Sequence, residues 1–174
     1  MNDAKILAAN KEGVVQIRVI GRATFKISRE LREYIIQTLN DGVCSVIIDL
    51  SECDGMDSTF MGVMAMIGLE AKGKASVLVV NAGEKLRNLL DSIGVSRLVE
   101  YMEKDMAEGN WHNLCEAAAE RDDMKQVAPT VRDAHKTLME LSPENIPKFQ
   151  NVVEMLSEEL ENEGCNSNNS TVGR

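Results

Sequence analysis

Short apolar runs alternate with helical patterns over residues 1–102 of the chain. The runs predict β-strands, and the segments in which apolar residues recur every three or four positions predict helices. The predicted order is β-β-α-β-α-β-α-β, which favours an α/β fold with helices packed on a mixed, mostly parallel sheet. The predicted strands are Ile6–Ala9, Gly13–Gly21, Val43–Leu50, Ala75–Asn81 and Ser96–Tyr101.

Three helices are predicted between these strands. The first starts at a Ser28 cap and places Leu31, Ile35 and Leu39 on one face. The second follows the segment Cys53–Met64, and the third lies within 83–95. Six of the eight residues in the run Val43–Leu50 are apolar, so we expect it to be buried on both faces of the sheet.

From about Glu103 the sequence pattern is helical only. Two apolar stripes with heptad-like spacing are separated by Pro143 and Pro147, which predicts a helical hairpin within an acidic extension, residues 103–163. The extension either covers an exposed face of the α/β domain, residues 1–102, or forms a homodimer or partner interface. The polar segment 164–174 is predicted to be a disordered tail. The stripes are Val127, Val131, Ala134, Leu138 and Leu141, then Ile146, Phe149, Val153, Leu156 and Leu160.

Charge and composition exclude several classes of protein. The net charge is −9, of which −8 lies in residues 103–174, so no basic patch is available to bind nucleic acid. The chain has no signal-like segment and no apolar run long enough for membrane insertion, which predicts a cytoplasmic protein. The four cysteines form no CxxC pair, and only Cys115 lies near a histidine, His112, so neither a metal site nor a cofactor is expected.

The segment CDGMDSTFMGVM, residues Cys53–Met64, concentrates the candidate chemistry. It places Asp57, Ser58 and Thr59 where a buried strand gives way to a helix. Asp57 or Ser58 is suited to cap the helix. A helix N-terminus also tolerates a phosphate, and ligands gather at the carboxyl ends of strands in α/β sheets. A phosphoryl group on Ser58 would add about −1.5 to −2 charges beside Asp54 and Asp57. These features are those of a charge switch.

The chain from Ile6 to Tyr101 resembles the STAS domain family, of the anti-sigma factor antagonist type. The resemblance is carried by VIGRATF and the LREYI helix, by VIIDLSECDGMDST, and by GLEAKGKASVLVVNAGEKLRNLLDSIGV. The family's pattern is an apolar strand ending in Asp-Leu, then Asp-Ser at a helix start, and later a Gly near the last strand. Here these positions are Asp49-Leu50, Asp57-Ser58 and Gly94.

The resemblance implies that Ser58 is the phosphoacceptor, with Thr59 in reserve. It also implies a partner kinase that is itself the anti-sigma factor, and a serine phosphatase that reverses the modification. The unmodified domain would bind the kinase and free a sigma factor. The residues expected to support the site and bind the partner are Asp57, Thr59, Phe60, Met61, Gly62, Arg22 and Thr24.

Two positions depart from the family pattern. Phe60 follows the hydroxyl pair, where relatives often have Gly, and it either narrows the space near Ser58 or contacts a particular partner. Thr24 stands near the place where many relatives carry an acid, and Arg22 is a candidate to pair with a phosphate on Ser58.

Two other interpretations compete with the switch. One is a non-switching STAS-type adaptor of a transporter or signalling complex, in which Ser58 only caps its helix. The other is an enzyme, which the sequence disfavours because both histidines lie in the extension, away from Ser58, and because no glycine-rich phosphate loop is present. We therefore expect a protein that is not an enzyme.

Overall fold

The computed structural model describes residues 4–116 and 124–167. The strands are β1 (Lys5–Lys11), β2 (Val14–Ala23), β3 (Ser45–Met56), β4 (Ser76–Val80), β5 (Glu100–Met102) and β6 (His112–Asn113). The helices are α1 (Phe25–Asn40), α2 (Ser58–Ala71), α3 (Glu84–Ser92), α4 (Met124–Leu141) and α5 (Ile146–Ser167).

The six strands form one sheet in the order β5-β4-β3-β2-β1-β6. Strands β2 to β5 run parallel, whereas β1 is antiparallel to both of its neighbours. This confirms the predicted mixed, mostly parallel sheet. Helices α1, α2 and α3 connect successive parallel strands in one direction across the sheet, and right-handed crossovers then place all three on the same side.

Two predicted boundaries are wrong. Helix α1 begins at Phe25 after Thr24, and not at a Ser28 cap. Ser28 is buried inside the helix, where its hydroxyl donates to the Thr24 carbonyl at 2.8 Å. The predicted last strand is replaced in part by a 3₁₀ turn, Val95–Arg97, and only Glu100–Met102 pairs with β4.

The expectation of helices alone after Glu103 is also wrong. Residues 103–111 form an extended strap that leaves β5 at one edge of the sheet and reaches β6 at the other. The strap crosses the face opposite the helices, where the Ala107 amide donates to the Gln16 side chain at 3.0 Å. Because β6 is only two residues long, its sequence carries no strand pattern. The boundary between residues 102 and 103 remains a prediction.

The two predicted C-terminal helices are present as α4 and α5. The ion pair between Lys125 and Glu163, at 3.2 Å, joins the start of α4 to the far end of α5, so the helices run antiparallel as a hairpin. Helix α4 packs on α2 and α1, and α5 packs on α4. The hairpin therefore covers the helical layer of the domain. Helix α5 continues to Ser167, beyond the predicted start of the tail at 164, and residues 168–174 lie outside the described residues.

Candidate functional site

Asp57 joins the starts of the first two helices. Its carboxylate accepts the Phe60 amide at 2.9 Å, which caps α2, and the Phe25 amide at 2.8 Å, which belongs to the first turn of α1. Its own amide donates to the Ala23 carbonyl at 2.9 Å. Each helix start has amide groups without a partner inside the helix, and one carboxylate here satisfies an amide from each. The loops after β2 and β3 are thus held side by side.

Ser58 is the first residue of α2, and it is not the cap. Its Oγ lies 2.8 Å from Nε2 of His135, a residue of α4. The Ser58 residue is half-buried, and His135 is 5 % exposed. Since Asp57 alone caps the helix, the Ser58 hydroxyl is available to bond across the interface with α4.

The ring of His135 has a defined tautomer. Nδ1 lies 2.8 Å from the Val131 carbonyl, which only accepts, so Nδ1 carries the proton. The neutral ring then presents a bare Nε2 that accepts the Ser58 hydroxyl proton. Burial lowers the pKa of His135 below its ordinary value of 6.5, while the Val131 carbonyl and the charge of Asp57 act in the opposite direction. The lowered pKa favours this neutral form.

Helix α2 is buried on nearly all sides. Its residues from Thr59 to Ala65 are all buried, and its first charged residue is Glu70. A helix that is apolar all round needs cover on more than one side. The sheet provides one cover and α4 provides the other.

Helices α2 and α4 are in closest contact at Gly62. A Cβ added to Gly62 would lie 2.6 Å from the carbonyl oxygen of Ala134 and 2.7 Å from its Cβ. Only glycine permits so close an approach. Gly62, expected to contact a partner, contacts α4 of the same chain in this state.

The structure corrects the expected role of the two large side chains beside Ser58. Phe60 is fully buried in the core, and Met61 is 7 % exposed, so neither presents a surface contact as the chain stands. Met64, at 1 % exposed, is buried as well. Thr59 is 4 % exposed, which makes Ser58 the more accessible of the two hydroxyls.

The remaining expected residues lie at the same end of the sheet. Thr24 is the cap position of α1, and its carbonyl accepts the Ile27 amide at 3.1 Å. Arg22 is exposed on β2, where it pairs in register with Gly55 of β3. It therefore lies on the strand next to the one that leads to Ser58.

Polar contacts on both sides of Ser58 hold the hairpin in place. On α1, Arg32 pairs with Asp133 at 3.3 Å, and Arg29 donates to Gln126 at 3.0 Å. At the turn between α4 and α5, the fully buried Asn145 donates to the Ile93 carbonyl at 3.0 Å and to the Leu138 carbonyl at 2.8 Å.

Sequence reasoning missed His135 as a site residue. The residue lies in the extension, yet the packing of α4 brings it to Ser58 from 77 positions away. The available signal was α2 itself, whose uncharged sequence requires a second covering element. The expectation that both histidines lie away from Ser58 is therefore wrong for His135.

Other kinds of site find no support among residues 4–116 and 124–164. No group of three or more His, Cys, Asp or Glu side chains in this part of the chain is placed to hold a metal ion. No helix within the described residues is long and apolar enough to cross a membrane.

Comparison with known proteins gives the following relationships. The sequence profile of the STAS domain matches residues 5–109. No curated protein is similar enough in sequence to count as a match.

Solved structures of similar fold include anti-sigma factor antagonists. The unphosphorylated form of the antagonist SpoIIAA is 19 % identical, with a TM-score of 0.51, and the match covers 59 % of this chain and 90 % of that one. The phosphorylated form of the Bacillus cell fate determinant SpoIIAA is 18 % identical (TM-score 0.51; 69 % and 100 % covered). An anti-sigma factor antagonist from Mycobacterium paratuberculosis is 17 % identical (TM-score 0.51; 75 % and 96 % covered). At these identities the similarity establishes the fold.

Proposed function

This chain belongs to the STAS domain family, and we propose that it is a phosphorylation-switched protein-binding module of the anti-sigma factor antagonist type. In this proposal Ser58 is the phosphoacceptor in a partner-switching pathway. The partners are an anti-sigma factor that is also a serine kinase, and a serine phosphatase. The protein acts in the cytoplasm and is not an enzyme.

The position of Ser58 is the observation that carries the proposal. Its hydroxyl is half-buried at the first position of α2, and Asp57 has taken over the capping role. Ser58 is therefore not needed to cap the helix, and a modification of its hydroxyl would replace one hydrogen bond, the one to His135. The solved structures of similar fold include one antagonist in both unphosphorylated and phosphorylated forms, which supports the same role here.

A phosphoryl group would alter this surface sharply. It would add about −1.5 to −2 charges next to the Asp57 carboxylate and replace the hydroxyl proton that His135 accepts. Any partner packed closely over Ser58 would then meet like charge and added volume. Arg22 and Thr24, on the adjacent strand and loop, are proposed to shape the same surface.

The test is a phosphopeptide map of the protein purified from its own cells, growing and stressed, together with the mass of the intact chain. We expect a variable phosphate on Ser58, absent from Ser58→Ala and retained in Ser51→Ala, which removes an exposed hydroxyl of β3. A phosphate on Thr59 instead would move the site to the reserve residue. No phosphate under any condition would defeat the proposal.

The second candidate is a non-switching adaptor. The hydrogen bond to His135 favours it, because it gives the Ser58 hydroxyl a structural role in holding α4. Under this alternative, Ser58→Asp lowers stability but leaves partner binding and pathway output unchanged once the chain is folded. The switch requires the opposite, a loss of partner binding in Ser58→Asp.

A further inference from the structure

The face of α2 that carries Ser58 is already occupied by a helix of the same chain. Ser58, Gly62 and Ala65 recur at spacings of four and three, so they share one side of α2. Ser58 bonds to His135 of α4, and Gly62 abuts Ala134. A protein that uses this face must first move α4 away.

We propose that this face is a docking groove for an α-helix of a partner protein, and that α4 is an internal competitor that fills the groove until the partner displaces it. The inference rests on the proposed function, because it takes the Ser58 face as the partner-binding surface. It adds the shape and chemistry of what binds there, and it assigns a role to the hairpin.

The contacts that α4 makes in this groove specify the side chains that a partner helix needs. The crossing at Gly62 admits a small side chain such as that of Ala134. The next position must offer a hydrogen-bond acceptor to Ser58, as His135 does, and the preceding position an acid to Arg32, as Asp133 does. An apolar residue four positions after the small one fills the place of Leu138, which is fully buried.

Such an exchange is energetically feasible because each polar contact has a replacement. Ser58 and Arg32 are half-buried donors, and losing their acceptors without a substitute would be costly. A helix that carries the same acceptor and the same acid restores both contacts. Because α4 is covalently linked to the domain, its effective concentration at the groove is in the millimolar range. A partner helix must therefore have a correspondingly higher affinity for the groove.

The test uses the full chain and a synthetic, fluorescent peptide of residues 124–141 as the probe helix. In the variant Ala134→Arg, a large side chain at the crossing forces the chain's own α4 out and leaves α2 unchanged. We expect the peptide to bind this variant at least about tenfold more tightly than it binds the wild-type chain, whose groove is filled. The control variant Lys136→Ala changes an exposed residue of α4 and is expected to behave like wild type.

A second variant keeps the test decisive if Ala134→Arg loses its cooperative melt. Leu138→Ala weakens the docking of α4 without a clash, and it is expected to gain affinity for the peptide as well. A peptide carrying Ala134→Arg should bind neither variant.

Two results would overturn the inference. One is equal peptide binding by wild type and by a folded variant whose α4 exchanges its amide hydrogens rapidly. The other is a wild-type dimer in which α4 docks on the second copy, because the occupant would then be this chain itself. Phosphorylation plays no part in the assay, so an unmodified Ser58 in cells would defeat the proposed function and leave this inference standing.

Discussion

Two segments that follow β5 cover opposite sides of the domain, and they are held in different ways. The strap, residues 103–111, is fixed largely through its main chain. The Asn81 side chain donates to the Lys104 carbonyl at 2.8 Å and accepts its amide at 3.0 Å, and Ala107 bonds to Gln16. The hairpin is fixed by side chains, of which His135 and Asp133 are the ones beside Ser58.

The strap covers a buried polar network. Asp49, 1 % exposed, accepts from Arg18 at 3.1 Å and from Asn81 at 3.1 Å, and Arg18 lies 5.2 Å from the ring centre of Trp111 in the strap. Burial raises the pKa of Asp49, but hydrogen bonds from Ser51, Asn81 and Arg18 outweigh it and leave the pKa below its ordinary value. The carboxylate therefore stays charged beneath the strap.

The STAS family profile includes the strap and the hairpin to different extents. Its match, residues 5–109, includes most of the strap and none of the hairpin. The profile thus extends into the strap and ends before the hairpin begins. The difference suggests that variants can release the hairpin while the sheet and the strap remain intact, and four substitutions test this, from the largest expected effect to the smallest.

Gly62→Ala should have the largest effect on the docking of the hairpin. The new Cβ meets main-chain atoms of Ala134 that cannot rotate away, so the helices must separate. We expect a loss of about 3 kcal/mol in the docking free energy of α4, the upper part of the usual range for overpacking. Hydrogen exchange should speed up across α4 and α5 and stay slow in β2 and β3.

The matched control is Gly55→Ala. An added Cβ at Gly55 finds no atom within 4 Å, and this glycine lies on β3 close to the same site. If the amides of α4 exchange equally slowly in both variants, the close contact at Gly62 is not what holds the hairpin in place.

Asn145→Ala should release the hairpin from its other end. The substitution removes the donor to the Ile93 and Leu138 carbonyls in a fully buried place. The Leu138 carbonyl keeps the Ser142 amide as a partner, but the Ile93 carbonyl loses its donor, which costs about 2 kcal/mol in a buried place. We expect faster hydrogen exchange at the turn between α4 and α5, with the amides of Lys104 and Ala107 unchanged. Faster exchange of those two amides would show that the hairpin and the strap open together.

Asn81→Gly is the corresponding change on the strap. Asn81 has a φ of 57°, a conformation that glycine adopts freely, so this variant removes the side chain without adding backbone strain. Because the substitution also removes a donor to the buried Asp49 carboxylate, we expect a loss of stability of about 1.5 kcal/mol, measured by urea unfolding. Exchange should rise at Lys104 and Ala107 and not in α4. A larger effect on α4 than on Lys104 would contradict the independence of the two covers.

The sequence predicts the sheet better than its covers, for a physical reason. Strand β4 is apolar after its first residue and the first half of β3 is mostly apolar, so their burial is evident from composition. Strand β6 contains only His112 and Asn113, and it exists because the strap happens to reach β1. No local pattern encodes such a contact.

The candidate site was predictable in part. Asp57 and Ser58 follow from the strand-to-helix turn, and the structure places both at the start of α2. The bond from Ser58 to His135 depends on how a distant helix docks, which a single sequence does not specify. The lack of charge in α2 did indicate a second cover, but it could not identify α4 as that cover.

The smallest expected effect is a pH dependence confined to the hairpin. Burial lowers the pKa of His135 in the folded chain, so the unfolded or undocked state binds a proton more readily. Docking of α4 is then fully stabilised above pH ~6.5 and weakens as the pH falls through the lowered pKa. We expect the free energy of opening α4, from hydrogen exchange corrected for intrinsic rates, to decrease between pH 7.5 and 5.5 while that of the strap stays constant. His135→Gln should abolish the decrease, and His112→Gln, in β6 and away from the hairpin, should retain it. A decrease that survives His135→Gln would place the titrating group elsewhere, and Ser58 would then be held by a contact that does not depend on the charge of the imidazole.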